Sequence, residues 1–274
     1  MAQNSINPYD VDAHIAEAYD LCETETADVE LIRRLIGEQK PLSILEPFTG
    51  TGRILLPLAQ DGHTVTGIDQ AHGMIEQARK KVAALPEDVQ KRITLIEADV
   101  ICSGTPGAYG WLGGFDLVIL GGNCFYELAT PQEQEQCVRL AAAALKTGGW
   151  VYIDNDHMEG ELHPAWQQIG VPEKRGIRGA CADGSRVESF LETIWFDAPR
   201  RLARFHRWTE ISAPGGETVV RECIQQKHPV STGEVRAWLE QSGFAIQHLF
   251  GDRQGTPYSE NAGRAIFWAL KRGE

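Results

Sequence analysis

Apolar residues cluster in short runs through the first half of the chain and alternate singly with polar residues through its third quarter. SILEP from Ser43, TVTGID from Thr64, FDLVIL from Phe115 and WVYIDND from Trp150 are compact apolar runs, with ITLIEAD from Ile93 more mixed. Such runs are expected of strands buried on both faces, as in a parallel sheet covered by helices. Segments with apolar residues three or four apart stand between them, predicting helices over 53–60, 71–85 and 131–149. Pro131 opens the last of these and Gly148-Gly149 close it. Upstream, HIAEAYDL and DVELIRRLIGEQ carry the same helical spacing.

From His157 to Pro229 the alternation of strand and helix stops. VESFLETIWFD, RRLARFHRWTEIS and ETVVRECIQQKHP alternate apolar and polar residues and are separated by Ala198-Pro199 and Pro214-Gly215-Gly216. That pattern predicts an antiparallel meander. STGEVRAWLEQSGF then predicts a helix with Ser231 or Thr232 as its cap, Glu234 in its first turn and Gly243 past its end. AIQHLFGD and RAIFWALKR form a last strand pair. The expected fold is α/β, a doubly wound, seven-stranded, mostly parallel sheet with an antiparallel β insertion at 157–230 after the fifth strand. Residues 1–40 form a helical segment ahead of a core made of 41–156 and 231–274.

Composition narrows the classes. The chain has 274 residues, 42% hydrophobic and 23% charged, values of an ordinary globular protein. No apolar stretch approaches the roughly 20 residues that span a bilayer, and MAQNSINPYDVDAH lacks the regions of a signal peptide. The expectation is a cytoplasmic protein without a membrane partner. A net charge of −12 would repel a phosphate backbone and argues against nucleic acid. Six cysteines with no C-x-x-C pair argue against a metal site or disulfide framework. Lys174, Arg175 and Arg178 form one small basic group, expected to be a solvated loop or a carboxylate anchor.

The richest chemistry lies in ILEPFTGTGRILLPLAQDGHTVTGIDQ, residues 44–70. Strand, glycine loop, helix, strand and closing acid place a nucleoside cofactor at the carboxyl end of a parallel sheet. Gly50 and Gly52 allow close approach of backbone to ligand, and Asp69 offers a carboxylate to ribose hydroxyls. The third glycine of a dinucleotide loop is replaced by Leu55, and Glu46 precedes the loop. A carboxylate there repels pyrophosphate and attracts a cationic amino acid group. These features suit S-adenosylmethionine better than NAD.

At these residues the chain resembles the class I S-adenosylmethionine-dependent methyltransferases. Their motif E/D-x-G-x-G-x-G lies over Glu46-Pro47-Phe48-Thr49-Gly50-Thr51-Gly52, with Phe48 where the first glycine usually stands. The resemblance implies cofactor contacts from Glu46, Thr49, Gly50, Gly52 and Arg53 around the loop. Asp69, Gln70 and Met74 would follow the second strand, Asp99 and Val100 the third, and Gly121 and Asn123 the fourth. Trp111 would cover the adenine, and the N-terminal helices would form a lid with Tyr9 or Tyr19 near the sulfonium.

LGGNCFYEL at 120–128 and the later YIDNDH resemble glycine N-methyltransferases and their small-amine relatives. That likeness places Asn123 near the acceptor, and Asp154, Asn155 and His157 at the substrate mouth. His157, Glu127 or Tyr126 would take a proton from the acceptor, unless water takes it before binding, and His157, Tyr126 and Asn123 are the catalytic candidates. Gly122-Asn123-Cys124-Phe125 lacks the proline pair of DNA amino-methylating enzymes. The expected function is methylation of a small polar metabolite, first an amine or amino acid. The alternatives are a small-molecule O-methyltransferase, an RNA or tRNA methyltransferase, and a non-catalytic cofactor-binding protein. The insertion is expected to cap the acceptor pocket and join two copies into a homodimer, with Phe190, Ile194, Phe196, Phe205 and Trp208 turned outward. His206 is expected to be a packed strand histidine.

Overall fold

The computed structural model describes residues 11–38, 41–101, 114–157, 159, 162 and 164–273. Tyr9 and Trp111 lie outside them. Two helices come first, α1 (Ala13–Cys22) and α2 (Ala27–Ile36). β1 (Ser43–Pro47), α3 (Leu55–Gln60), β2 (Thr64–Asp69), α4 (His72–Ala83), α5 (Glu87–Gln90), β3 (Ile93–Glu97) and β4 (Phe115–Leu120) follow. A 3-10 turn (Cys124–Glu127), α6 (Pro131–Ala144) and β5 (Leu145–Asp156) complete the first half of the fold. After α7 (Pro164–Gln167) come β6 (Glu173–Ala180), β7 (Arg186–Asp197), β8 (Leu202–Ser212) and β9 (Thr218–Lys227). The chain returns to the core through α8 (Thr232–Gln241), β10 (Phe244–Phe250) and β11 (Arg264–Lys271).

The main sheet has seven strands in the order β10-β11-β5-β4-β1-β2-β3. β11 runs antiparallel to both β5 and β10, while β5, β4, β1, β2 and β3 pair in parallel. This is the doubly wound α/β fold expected, and the order reverses between β1 and β4, where ligands enter such sheets. Burial on both faces follows from the strand period of two. Leu117 and Ile119 of β4 pack with α2 and α3 on one side, whereas Val118 and Leu120 join α6 and α8 on the other. Ser231 caps α8 through a reciprocal pair of bonds with Glu234, and Thr130 caps α6 with Glu133 in the same way.

Two boundaries differ from expectation. Arg53 and Ile54 belong to a turn and α3 begins only at Leu55, and α6 ends at Ala144. Leu145 pairs with Phe115 in the sheet, so Gly148-Gly149 fall within an irregular β5 rather than closing the helix.

Residues 173–227 form a second, four-stranded antiparallel sheet, β6-β7-β8-β9. Its first strand contains Lys174, Arg175 and Arg178, so of the two sequence readings, a solvated loop or a carboxylate anchor, the loop is corrected. Phe205 and Ala203 of β8 point inward against Tyr126, Leu162 and Trp166, and Phe196 packs beside them. The expectation that Phe196 and Phe205 face outward is therefore corrected. Strand alternation puts Trp208 and His206 on the outer face, where Trp208 stacks on Phe190 at 5.1 Å and on His206 at 5.0 Å. His206 is bonded to Glu222 there, rather than packed in a core.

Candidate active site

A cleft of about 370 Å³ opens at the carboxyl ends of β1, β2 and β4, between them and α1 and the second sheet. Its floor is the loop after β1. Phe48 takes a left-handed φ of 62° without being glycine, at a cost of about 1–2 kcal/mol. Its partly buried ring packs against the core, which offsets that cost. The loop thus keeps a glycine-like backbone at the motif's departure. Thr49 N–H donates to the Ile68 carbonyl at 2.9 Å, tying the loop to β2. A Cβ on Gly67 would stand 2.8 Å from both Thr49 Oγ1 and Leu55 Cδ1, so glycine allows this approach.

Of the two strand-end acids Glu46 is buried and Asp69 half-buried, and both are hydrogen-bonded. Asp69 accepts from Gly50 N–H at 2.8 Å and from Ala71 N–H at 2.9 Å. Burial pushes its carboxyl above the ordinary range, outweighing those bonds. Glu46 is 5% exposed and accepts from Thr49 Oγ1 at 2.9 Å. Burial pushes its pKa up to about 8. Tyr19, Gln70 and Met74 also line this end. Burial, then the charge of Glu23, pushes the Tyr19 phenol up to about 12, so it is neutral.

Arg53 borders the cleft, but its guanidinium is engaged. It donates to both carboxylate oxygens of Asp28, at 2.9 and 2.6 Å, and to the Glu25 carbonyl at 2.5 Å. Burial raises the Asp28 carboxyl, yet the bonds and charges of Arg53 and Arg253 win and hold it below its usual range. α1 is fixed over the cleft by Asp20, which accepts from Thr51 Oγ1 at 2.5 Å and from Lys81 Nζ at 2.8 Å.

The opposite end is built from the 3-10 turn and the second sheet. Glu127 lies deep, with 38% of its side chain open. Its Oε2 accepts from Gln225 Nε2 at 2.9 Å, and Lys227 Nζ is 3.9 Å from its Oε1. Burial alone would raise its pKa, but Lys227 and Arg207 hold it lower, so it is a carboxylate at neutral pH. Burial brings Lys227 down to about 8. Arg207 Nη1 donates to Gln225 Oε1 at 2.7 Å. Arg207, Gln225 and Lys227 escaped the sequence analysis. They carry no motif, and only their alternate spacing on β8 and β9 hints that they share a face.

The structure brings Tyr19, Glu46, Thr49, Gly50, Arg53, Asp69, Gln70, Met74 and Gly121 together around the cleft. Gly52 lies just behind, with a φ of 80° and its Cα facing Leu56. Asp99 bonds Ile101 N–H beyond β3, and Val100 is core; neither borders the described cleft.

The three catalytic candidates stand elsewhere. Asn123 accepts from Asp156 N–H at 2.6 Å and donates to the Asp156 side chain at 3.0 Å, tying the β4 turn to β5. Tyr126 donates to the Asp156 carbonyl at 3.1 Å, and burial pushes its phenol well up. His157, with a 5% exposed side chain, bonds the Ala262 carbonyl at 2.6 Å and packs on Tyr258. The physical reason is β5's pairing with β11, which carries its end toward 262–264 and away from the cleft. Asp154 is likewise taken by Arg253 and Arg264, and Asn155 lies beside His157 in a separate small cavity. Among the described residues, no group of three or more His, Cys, Asp or Glu is placed to hold a metal ion, and no helix is long and apolar enough to cross a membrane.

The methyltransferase domain family matches residues 44–149. A ubiquinone biosynthesis O-methyltransferase from Bordetella avium is 28% identical over 125 residues, a match spanning 46% of this chain and 47% of that one. The chain thus aligns with about half the length of that curated relative. The CcbJ methyltransferase of Streptomyces caelestis superposes with a TM-score of 0.69 at 17% identity, covering 97% of this chain and 98% of that one. The sugar N-methyltransferase KedS8 of a Streptoalloteichus species gives 0.69 at 19% identity, covering 100% and 99%. Residues 44–149 match the methyltransferase domain family, and the chain shares the fold of these solved methyltransferases.

Proposed function

We propose that this protein transfers the methyl group of S-adenosylmethionine to a small polar metabolite, first an amine or amino acid. The observation that carries the reading is one cleft with the acids Glu46 and Asp69 at one end and the polar wall of Glu127, Gln225 and Arg207 at the other. The cofactor fits this chain's residues. Gly50 has a φ of 55°, and a Cβ there would meet nothing within 4 Å, leaving open space over the loop. Asp69 would hold the ribose hydroxyls, and Glu46 would face the cationic amino acid end.

The bound cofactor supplies an already activated methyl group on a sulfonium. What remains for the chain is positioning and exclusion of water. Tyr19 on α1 closes the cofactor end. Glu127, ionised and partly open to the cleft, orients an amine and balances its charge; an acceptor amine must shed a proton to attack. The base role moves from His157 to Glu127, because His157 is turned away. An oxygen acceptor is the second reading: the curated relative is an O-methyltransferase, and Glu127 would then serve as base.

We also propose that the outer face of the second sheet joins two copies. Phe190 and Trp208 stack there beside the exposed Ile194, Val220 and Ile224, and an apolar sheet face with an open edge favours a two-fold partner.

Calorimetry with S-adenosylhomocysteine and NAD tests the cofactor; micromolar NAD binding with no response to S-adenosylhomocysteine would refute it. Incubating metabolite pools and RNA with labelled methyl donor tests the acceptor. Label is expected in the small-molecule fraction, and label in RNA alone would overturn the choice.

A further inference from the structure

Gln134 is fully buried on α6 and commits its whole amide to two other segments. Its Nε2 donates to the Phe125 carbonyl at 2.9 Å and to the His228 carbonyl at 3.1 Å, and its Oε1 lies 2.9 Å from His228 Nδ1. Both carbonyls can only accept, so the amide nitrogen has to face them and Oε1 has to face the imidazole. His228, 2% exposed, therefore holds a proton on Nδ1 and donates it to Gln134. Its Nε2 lies 3.3 Å from Glu234 Oε1, so a second proton there would be met by a carboxylate.

The two segments joined in this way carry an anion and a cation of the cleft wall. Phe125 stands two residues before Glu127 in the 3-10 turn, and His228 directly follows Lys227 at the end of β9. Lys227 Nζ is 3.9 Å from Glu127 Oε1, too far for a hydrogen bond and near enough for its charge to be felt. A closer approach would bond the carboxylate to the ammonium and withdraw it from the cleft. A wider one would leave a deep acid without its cation, and burial would then favour the protonated form. Gln225 and Gln226 also link β9 to this stretch, at Glu127 and at the Ala129 carbonyl. Both sit on β9 itself. Gln134 is anchored in a third element, α6, whose first turn is fixed by the Thr130–Glu133 cap.

Resting on the methyltransferase reading, we infer that Gln134 is a positioning residue, which holds Glu127 and Lys227 at a separation that leaves the Glu127 carboxylate turned to the methyl acceptor. Gln134 does not line the cleft, and it acts only through the segments it ties. An apolar side chain of the same length would fill its site without the cost of desolvating an amide. The amide is used for its three bonds.

The test compares the full-length wild type with Gln134→Met, which keeps the length and removes the bonds. NMR of labelled histidine and lysine reads His228 and Lys227, with His228→Gln and Lys227→Arg assigning the signals. In the wild type the His228 proton is expected on Nδ1. Lys227 is expected to titrate near about 8, where burial, Arg207 and Arg175 bring it against the pull of Glu127. In Gln134→Met the Nδ1 preference is expected to vanish. The Lys227 midpoint should rise by about one unit or more toward the ordinary 10.5 as water reaches the loosened strand end. Transfer of labelled methyl into the small-molecule fraction of a metabolite pool is expected to fall at least about tenfold, while affinity for S-adenosylhomocysteine stays within about twofold. Wild-type His228 protonated on Nε2 alone would overturn the inference without any variant. So would a Gln134→Met protein whose Lys227 titration or label transfer matches wild type. A variant that also loses S-adenosylhomocysteine would overturn it too, by showing a role in the scaffold alone. A wild type that transfers no label, or does not bind S-adenosylhomocysteine, would be a different result, refuting the methyltransferase reading itself.

Discussion

Arg53 grips the fully buried carboxylate of Asp28 with both terminal nitrogens, at 2.9 and 2.6 Å. Arg53 follows the glycine loop and Asp28 lies in the first turn of α2, so this pair fastens the N-terminal helices to the floor of the cleft. Arg253 approaches Asp28 Oδ2 at 3.6 Å and also holds Asp154 near the end of β5.

Asp28→Ala leaves two half-buried guanidinium groups short of a partner. A broken buried pair typically costs about 3–5 kcal/mol. Urea denaturation is expected to show that loss, and calorimetry a weaker cofactor because the loop loses its anchor. Unchanged stability would show the pair to be dispensable.

Asp69→Ala removes the acceptor for Gly50 and Ala71 N–H and the proposed ribose contact. S-adenosylhomocysteine binding is expected to weaken by about 1–3 kcal/mol, the range for lost charge-assisted bonds. Calorimetry reads this directly, and an affinity equal to wild type would remove Asp69 from the site.

Glu46 gives a pH signature. Its ordinary pKa of 4.5 rises to about 8 in the ligand-free fold. Between those values the unfolded chain has lost the proton and the folded chain keeps it. Stability is therefore expected to fall as pH rises through that window and to level off above it. If the cationic end of S-adenosylmethionine binds the ionised form, binding near pH 7 releases a proton and tightens as pH approaches about 8. Calorimetry in two buffers of different ionisation enthalpy measures the proton. Glu46→Gln should abolish both effects, and a wild type that releases no proton would contradict the contact.

His14 on α1 meets Asp12 at 2.8 Å and Asp183, in the turn between β6 and β7, at 3.0 Å. Its bonds to those acids, Asp12 first, raise its pKa above the ordinary 6.5. The contact therefore stabilises the fold fully below 6.5 and loses its effect as pH rises through the raised value. Thermal midpoints of wild type and His14→Gln are expected to differ more at pH 6 than at pH 9. The effect is small, because exposed ion pairs contribute about 1 kcal/mol or less.

Trp208→Glu tests the proposed pairing of two chains. Light scattering is expected to give twice the chain mass of 30.3 kDa for wild type and the single mass for the variant. A wild-type monomer would leave the outer face without that role.

The local pattern alone determined most of the core and the end of the cleft built by the glycine loop. Apolar runs such as FDLVIL must be buried on both faces, and an acid closing a strand beside a two-glycine loop must sit at the sheet's carboxyl end. Glu46, Gly50 and Asp69 were legible because loop and strands are neighbours in sequence and their geometry is set by short-range sterics. Phe48 was legible only as a departure; its left-handed backbone emerged from the packing of its ring. Tertiary structure decided the rest. Arg53 has the right position for a cofactor contact, but a carboxylate 25 residues upstream claims its guanidinium once α2 folds against the loop. His157 ends an acid-rich strand, yet pairing with β11 turns it to the Ala262 carbonyl. Glu127 and Arg207 stand 80 residues apart, and neither has a signature of its own. Only the docking of one sheet against the other makes them opposite charges on one wall, because side-chain direction across two elements depends on their packing and not on residue type.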